Sequence, residues 1–414
     1  MNGMTLVVGG SLWLAALLTL ALAAGAAARA GESAPGRLTA EGPFPILAWI
    51  GPPAEETTVE RYREMADAGF THSFSFFGDV AAMAKALGVA QAAGIKLFVC
   101  TPDLAKDPEG VARGFRDHPA VAGYHLRDEP NAKDFAALAK LAKAIQSVDA
   151  KHWCYINLFP TYASPQQLGT PTYQEHVDRF IAEVPVEVIS FDHYPVVGNG
   201  LRADWYQNLE TIARGAEAAK KPFWAFTLAV AHGPYPIPTL AHLRLQIFSD
   251  LAYGAQGIQY FTYWTPPPDG GFRFHDGPIE KNGKRTPVYE LAKQVNREIQ
   301  GLAGVFLGAK VLSVGHTGKL PAGTRAYAPA APISGLKTEG NGAVASLLAK
   351  GQRRFLAVVN RDFNAPMPLT VALDGSAAVA RVDKTGAVHA VDGKEFTGRL
   401  EPGDLVVLTW ELKQ

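Results

Sequence analysis

The sequence predicts an α/β protein: a (β/α)8 TIM barrel followed by a C-terminal antiparallel β-sandwich. From residue 44 onward, short runs rich in β-branched and aromatic residues alternate with longer amphipathic runs, and eight such pairs end near residue 304. A doubly wound sheet has the same alternation, but eight units without a Gly-rich phosphate loop favour the barrel. After residue 304 the helical periodicity stops, and short alternating strands separated by turns such as Asp374-Gly375 predict the sandwich.

The individual elements follow from their periodicity and their end signals. The predicted barrel strands are 44–51, 72–78, 96–100, 123–129, 152–159, 188–196, 222–230 and 257–264. The predicted helices are 57–69, 79–93, 107–117, 131–149, 171–184, 201–220, 238–254 and 286–303. Several helical runs end in glycine, as at Ala68-Gly69 and Ala93-Gly94, which is typical of helix C-termini. In the sandwich the clearest strands are 354–360, 369–373, 378–382 and 405–410.

Composition excludes several classes of partner. The chain has 414 residues, and its 39 lysines and arginines balance 39 aspartates and glutamates. Nucleic acids and acidic membranes require a basic surface, so the sequence predicts neither as a partner. Cys100 and Cys154 lie in apolar strand-like runs, which predicts buried thiols rather than a disulfide framework. No Cys/His spacing typical of zinc is present, so we expect neither a metal nor a cofactor, and the sequence indicates no oligomeric state.

The N-terminus resembles a secretory signal peptide over residues 1–30. Residues 4–28 are almost entirely apolar or small, and Ala28-Arg29-Ala30 forms a small-x-small cleavage site. The folded part is therefore expected to be exported, to the periplasm or outside the cell. No lysine or arginine precedes the apolar run, so an uncleaved membrane anchor is the alternative, and only then would the protein contact a membrane. A linker over 31–43, the barrel over 44–304 and the sandwich over 305–414 complete the predicted organisation.

The end of the fourth predicted strand carries the most informative residues. Side chains alternate along a strand, so Tyr124 and Leu126 should face the helices while Arg127 and Glu129 face the barrel interior. An acid pointing inward at the carboxyl end of a barrel strand is a candidate catalytic group. The alternative is a surface glutamate that caps the next helix, although Asp128, with the opposite orientation, suits that capping role better.

The other strand ends supply amides, hydroxyls, acids and aromatic rings. The candidates are Trp49, Asn157, Asp192, Tyr194, Tyr263 and Trp264. Carboxylates that transfer protons and rings that stack on sugars predict a carbohydrate substrate. Alternatively, Asp192 orients Arg127 or His193 in a buried network, and the rings of Trp49, Tyr263 and Trp264 belong to the core. Arg127 is expected to keep a nearby carboxylate ionised, and the long segment 266–286 to form a rim of the site.

These residues resemble clan A glycoside hydrolases, the group that contains families 5 and 42. The resemblance rests on the barrel pattern, on Asp128-Glu129-Pro130-Asn131 at strand four and on the aromatic end of strand eight. In that clan strand four typically ends Asn-Glu-Pro, and its glutamate is the general acid/base. The resemblance therefore implies that Glu129 is the general acid/base, and the C-terminal sandwich resembles the accessory domain that these enzymes often carry.

Two departures from the clan leave the second catalytic group open. Asp128 replaces the usual asparagine, and strand seven has no carboxylate where the clan places its nucleophile. Asp192 on strand six is one candidate for the second carboxylate. Alternatively, the Asp128–Glu129 pair resembles that of family 123 and other N-acetylhexosaminidases, in which the 2-acetamido group of the substrate is the nucleophile. Strand alternation counts against that pairing unless the strand kinks at its end.

The sequence thus predicts an exported glycoside hydrolase that cleaves O-glycosidic bonds of an oligo- or polysaccharide. Glu129, Asp128 and Asp192 are the expected catalytic residues, and Trp49, Arg127, Asn157, Tyr194, Tyr263 and Trp264 are the expected substrate-binding residues. The alternative is a non-hydrolytic carbohydrate-binding protein on a degenerate barrel. The missing acid on strand seven favours this alternative, whereas an inward acid at Glu129 favours the enzyme.

Overall fold

Eight parallel strands close into a barrel in the computed structural model, which describes residues 37–412. The strands are β1 (Ile46–Trp49), β2 (His72–Phe74), β3 (Lys96–Val99), β4 (Val121–Asp128), β5 (Trp153–Leu158), β6 (Ile189–Phe191), β7 (Phe223–Leu228) and β8 (Gly257–Phe261). Neighbouring strands pair in chain order, and β1 pairs with β8 to close the ring. Each overlaps a predicted strand, so the predicted fold class is confirmed. The predicted signal peptide, 1–30, and part of the predicted linker, 31–43, lie outside the described residues.

Helices surround the barrel strands. They are α1 (Val59–Asp67), α2 (Val80–Ala93), α3 (Asp103–Lys106), α4 (Pro108–Phe115), α5 (Phe135–Val148), α6 (Pro165–Leu168), α7 (Tyr173–Glu183), α8 (Trp205–Ala219), α9 (Leu240–Ala252), α10 (Pro287–Gly301) and α11 (Ala303–Phe306). Thr58, Asp79, Thr172 and Thr239 precede helices and accept hydrogen bonds from backbone N–H groups three residues further on. Gly94 ends α2 at a φ of +73°, as its predicted role requires.

Alternation along each strand separates the barrel interior from the layer under the helices. On β7, Trp224, Phe226 and Leu228 point into the interior, where large side chains from all around the ring meet. Phe223 and Ala225 point outward into the core between strands and helices. The interior is therefore a packed hydrophobic plug, and a site can form only above it, at the carboxyl ends of the strands.

The C-terminal region is a sandwich of two antiparallel sheets. Its strands are β9 (Lys310–His316), β10 (Ile333–Thr338), β11 (Ala343–Lys350), β12 (Arg353–Asn360), β13 (Met367–Leu373), β14 (Ala380–Val382), β15 (Val388–Ala390), β16 (Glu395–Leu400) and β17 (Leu405–Glu411). The six-stranded sheet has the order β9-β11-β12-β17-β14-β15, and the three-stranded sheet the order β10-β13-β16. The change from helices to strands falls just after α11, beside the predicted boundary at 304/305.

The six-stranded sheet is buried on both faces. On β12, Leu356 and Val358 point into the sandwich core, whereas Phe355, Ala357 and Val359 join the core of the barrel. Ion pairs reinforce this contact at its edge. They link Arg244 on α9 to Glu298 on α10 and to Asp404 beside β17, and Lys384 also pairs with Asp404. One face of the six-stranded sheet therefore belongs to the core of the barrel, while the interior of the sandwich forms a separate hydrophobic cluster.

Cys100 and Cys154 are both free thiols, the first half-buried and the second buried. None of the helices between residues 37 and 412 is long and apolar enough to cross a membrane.

Candidate active site

A β-bulge at the end of β4 decides which charged residue faces the barrel interior. His125 pairs with Tyr155 on β5, but the next register pair joins Arg127 to Ile156, so Leu126 is an extra residue. Asp128 then pairs with Asn157, whose side chain points inward, while Arg127 shares the outward orientation of Ile156. The predicted inward orientation of Arg127 is therefore wrong, and so is the helix-capping role suggested for Asp128.

Asn157 joins two of the candidate acids. Its Nδ2 donates to Asp128 Oδ1 over 3.1 Å and to Asp192 Oδ1 over 2.9 Å, and the residue is only 2% exposed. Its Oδ1 accepts a hydrogen bond from Ser190 Oγ over 2.8 Å, which fixes the orientation of the amide. Both amide hydrogens are thus committed to carboxylates from different strands, so the amide holds Asp128 and Asp192 on the same side of the mouth.

The amide is itself held by a series of hydrogen bonds across the barrel interior. Tyr155 donates its hydroxyl hydrogen to Gln259 Oε1, and Gln259 Nε2 donates to Ser190 Oγ over 2.9 Å. Ser190 then donates to Asn157. From Gln259 onward the donors point toward Asp128 and Asp192, and the Tyr155 hydroxyl also lies 2.7 Å from Ser190 Oγ. The interior plug therefore supports the site with a polar network whose final acceptors are the two acids.

Glu129 follows the bulge in an unusual backbone conformation. Its φ is +44°, a left-handed region that costs a non-glycine residue about 1–2 kcal/mol. Its N–H donates to the Asn157 carbonyl over 2.9 Å, which holds this conformation in place. Burial, and then the charge of Asp128, raise the pKa of Glu129 to about 7. A carboxyl with such a pKa holds a proton for a large fraction of the time near neutral pH, as a general acid must.

The site contains three acids and no compensating cation. Burial, and then the charges of Glu129 and Asp128, raise the pKa of Asp192 well above its ordinary value. Asp128 is exposed at the recessed mouth, but the surrounding protein still raises its pKa, against the opposing effect of the Asn157 hydrogen bond. Within residues 37–412, no lysine or arginine forms an ion pair with any of the three. The cluster therefore shares protons instead of ionising completely near neutral pH.

Strand seven offers an apolar surface to the mouth. Its inward residues are Phe226 and Leu228, followed by Val230. His232, in the loop that follows, is buried and packs against Tyr235 and Phe274. The only acids that the described residues bring together at the mouth are thus those of β4 and of the end of β6.

Tyr194 lies beside the acids, as predicted, within a cluster of aromatic rings. Its ring centroid is 5.5 Å from that of Phe261 and 6.0 Å from that of Tyr235, and burial and the charge of Asp192 raise its pKa. Arg202 donates to the Tyr235 hydroxyl over 3.1 Å and lies 4.2 Å above the ring of Tyr162. The sequence analysis did not identify Tyr162, Arg202 or Tyr235. Their positions in loops just after barrel strands are the only signal that could have indicated them.

Three of the predicted sugar-stacking rings are unavailable for that role. Trp49 is buried in the interior plug against Phe74, with ring centroids 4.2 Å apart. Tyr263 is 0% exposed and packs against Phe70 under the helices, and Trp264 is 5% exposed with Arg61 over its ring. The structure therefore places none of the three rings at the mouth, because Trp49 belongs to the interior plug and the chain after β8 packs Tyr263 and Trp264 into the outer core.

The segment 266–286 lies over the end of strand seven. A β-bridge joins His275 to Ala231, and the rings of Phe272 and Phe274 contact His232. Phe272 is exposed, so this segment forms a rim beside the aromatic cluster, in the place where the sequence analysis expected a rim. Across residues 37–412, no group of three or more His, Cys, Asp or Glu side chains is arranged to hold a metal ion.

Comparison with known proteins links this fold to glycosidases. The family model Glyco_hydro_42, described as beta-galactosidase, matches residues 158–302. That segment includes Asp192 and Tyr194 but not Asp128 or Glu129. No curated protein sequence matches the chain.

Solved structures of beta-galactosidases have a similar fold. A catalytic mutant of a GH42 beta-galactosidase from G. stearothermophilus matches with a TM-score of 0.60 and 8% identity, over 91% of this chain and 100% of that chain. The beta-galactosidase of Bacillus circulans sp. alkalophilus matches with a TM-score of 0.59 and 10% identity, over 89% and 99%. The beta-galactosidase of the psychrophilic Marinomonas ef1 has a TM-score of 0.47 and 12% identity, over 63% of this chain and 60% of that chain.

These findings confirm the resemblance to clan A (β/α)8 glycoside hydrolases, and they agree with the prediction of a glycosidase. The likeness of the Asp128–Glu129 pair to that of family 123 stays a prediction.

Proposed function

We propose that this protein is an exported glycoside hydrolase in which Glu129 is the general acid/base. The observation that carries the proposal is the cluster of Asp128, Glu129 and Asp192 at the carboxyl ends of β4 and β6, with the pKa of Glu129 raised to about 7. Protonated Glu129 would donate its proton to the glycosidic oxygen as the bond to the anomeric carbon breaks. The resulting carboxylate would then deprotonate the incoming water.

Asp192 is the preferred second carboxylate. After burial, the charge of Glu129 contributes most to the raised pKa of Asp192, so the two carboxyl groups interact electrostatically. Asp192 would attack the anomeric carbon or activate a water on the face of the sugar opposite Glu129. The hydrogen bond from Asn157 would help to keep it ionised for this role.

Substrate assistance is a second candidate, and the backbone turn at Glu129 favours it. The bulge turns Asp128 inward, the strand ends at Asp128, and the φ of +44° at Glu129 breaks the alternation that counted against an Asp128–Glu129 pair. Asp128 would then orient the 2-acetamido group of a substrate, whose carbonyl oxygen attacks the anomeric carbon. This route needs no acid on strand seven.

Beta-galactosides are the first substrates to test, because the matched family and the similar solved structures carry that description. Export is a proposal from the sequence alone. N-terminal sequencing of secreted protein should give a chain that starts near Gly31. Recovery of the intact N-terminus in a membrane fraction would indicate an anchor instead.

Glu129→Gln tests the catalytic assignment, because it keeps the size of the side chain and removes the proton. Hydrolysis of a galactoside with a poor leaving group should fall by roughly 10²–10⁴, and that of an activated aryl galactoside less at the bond-breaking step. Glu55→Gln, at an exposed glutamate of the loop after β1, is the control. Unchanged hydrolysis in Glu129→Gln would refute the assignment. Tight binding of oligosaccharides without turnover by the parent protein would favour the non-hydrolytic alternative.

A further inference from the structure

A second feature of the mouth is a pocket on the outer side of the bulge. It has a volume of about 550 Å³, within the range of small-molecule sites, and extends from β3 and β4 toward α5. Asp128 and His125 line it, so it is continuous with the candidate active site. The consecutive residues His125, Leu126 and Arg127 all line the pocket, because the bulge interrupts the regular alternation of side chains along β4.

The walls of this pocket are mainly apolar. Phe77, Leu104 and Leu141 contribute apolar side chains from three different elements, and Phe76 is 64% exposed. The ring of Phe76 packs edge-on against Phe74, with centroids 4.9 Å apart, so it is held in place although it faces solvent. A large exposed aromatic ring beside an apolar pocket indicates a surface for a ligand ring.

The pocket also contains a cation that has no partner within the described part of the protein. Arg127 and Asp128 are the charged side chains that line it, and Asp128 is held by Asn157. Across residues 37–412 the guanidinium of Arg127 has no hydrogen bond, ion pair or aromatic ring as a partner. The buried hydroxyl of Thr101, another lining residue, also lacks a hydrogen-bond partner among the described residues. Arg127 is exposed to solvent, so its guanidinium is open to a ligand, and a hydrogen bond from a ligand would satisfy the buried hydroxyl of Thr101.

We propose that this pocket is the subsite for the leaving group, and that it binds an apolar ring carrying a carboxylate or sulfonate, with Arg127 pairing with the anion. The proposal rests on the proposed function, since it places the leaving group beside Asp128, the residue that precedes the proposed general acid. A sugar ring would leave most of its hydroxyls without partners against walls of leucine and phenylalanine. An aromatic acid instead matches both the apolar walls and the single cation.

Equilibrium binding tests the subsite without requiring turnover. The probes are 2-naphthoate and its uncharged analogue 2-naphthamide, titrated calorimetrically into the full chain. The parent should bind the anion about fivefold more tightly, the effect of one partly solvated ion pair. Arg127→Gln should bind the two probes equally. Arg63→Gln, at an exposed arginine on α1 outside the pocket, should keep the parent ratio.

A second variant tests the location. Ala105→Trp should fill the pocket and weaken the binding of both probes, while circular dichroism and the melting temperature report on its folding. Equal affinity of the parent for the two probes, or a parent-like ratio in Arg127→Gln, would overturn the proposal.

Kinetics with two aryl galactosides, one with a carboxylate and one with a carboxamide on the ring, separate this proposal from the proposed function. The ratio of their kcat/KM values should fall about fivefold from the parent to Arg127→Gln. Turnover that shows no such change would overturn the subsite and leave the glycosidase standing. Charge-selective naphthoate binding without turnover of any glycoside would overturn the proposed function and the leaving-group role, and would leave an anion-binding pocket.

Discussion

Asn157 donates a hydrogen bond to Asp192 over 2.9 Å, and this bond ends a series of donors that starts at Tyr155 inside the barrel. The same amide nitrogen donates to Asp128. Because Ser190 fixes the amide orientation, neither carboxylate can lose its donor through a simple flip of the amide. The ionisation of these two carboxylates therefore depends in part on uncharged residues in the barrel interior, which no substrate reaches.

Asn157→Ala should weaken both the fold and the ionisation of the site. The hydrogen bonds from Asn157 lower the pKa of Asp128 and of Asp192, so their loss should raise both and shift the acidic limb of the pH–rate profile upward. The free energy of unfolding should fall by about 1–3 kcal/mol. Urea denaturation and pH–rate profiles measure the two effects. Asn341→Ala, which removes an exposed bond to Asp362, is the control, and an unmoved acidic limb would contradict the prediction.

The pH dependence follows from the raised pKa of Glu129. The general acid must hold a proton, so kcat/KM should be insensitive to its ionisation well below pH 7 and should fall as pH rises through about 7. The second carboxylate must be ionised, and the raised pKa of Asp192 moves the acidic limb above the usual carboxyl range. The pH profile of kcat/KM should be a narrow bell for the parent. The profile of Glu129→Gln should lack the alkaline limb of that bell. A broad plateau from pH 5 to 9 would contradict this prediction.

The identity of the second carboxylate can be read from two variants. If Asp192 is the nucleophile or the base, Asp192→Asn should abolish turnover and Asp128→Asn should merely slow it. If the substrate supplies the nucleophile, the ranking should reverse, and activity should be confined to 2-acetamido sugars. Paired galactosides with and without the acetamido group measure this. Equal, small losses in both variants would exclude both routes.

The contact between barrel and sandwich should depend strongly on Glu298. Arg244 donates to Glu298 through two nitrogens, and both side chains are about nine-tenths buried. Glu298→Ala would leave the buried Arg244 with only its longer, 3.5 Å pair to Asp404 and should lower the free energy of unfolding by about 2–3 kcal/mol. Glu183→Ala, which breaks the exposed pair with Arg179, should cost much less, because solvent screens that pair. Similar denaturation midpoints for both variants would contradict the prediction.

The sequence predicted the barrel well because its signals are local. The run 222–230 alternates regularly and contains the observed β7, and Gly94 ends α2 where a residue with positive φ is required. In the sandwich, five strands were not predicted: β9, β10, β11, β15 and β16. On β16 exposed and half-buried residues alternate, so it lacks the apolar pattern that identified β12 and β17.

The errors at the site come from non-local structure. The extra residue Leu126 is defined only by the pairing of β4 with β5, which alternation within one strand cannot reveal. The prediction from strand alternation therefore assigned Arg127 and Asp128 to the wrong faces of β4. Tyr263 and Trp264 were misplaced for a similar reason, since the direction of the chain after β8 depends on backbone contacts with Trp49 and Ile50.

The position of β17 has a consequence for how the molecule is made. Residues 405–411 lie between β12 and β14, inside the six-stranded sheet whose other face covers α9. Until these residues emerge from the ribosome, β12 has an open edge and the helices of the barrel lack part of their cover. A newly made chain therefore carries exposed apolar surface for the time needed to synthesise the preceding hundred residues, several seconds at about 5–20 residues per second. Chaperones that hold such surface would act on the nearly complete barrel and not on the finished protein.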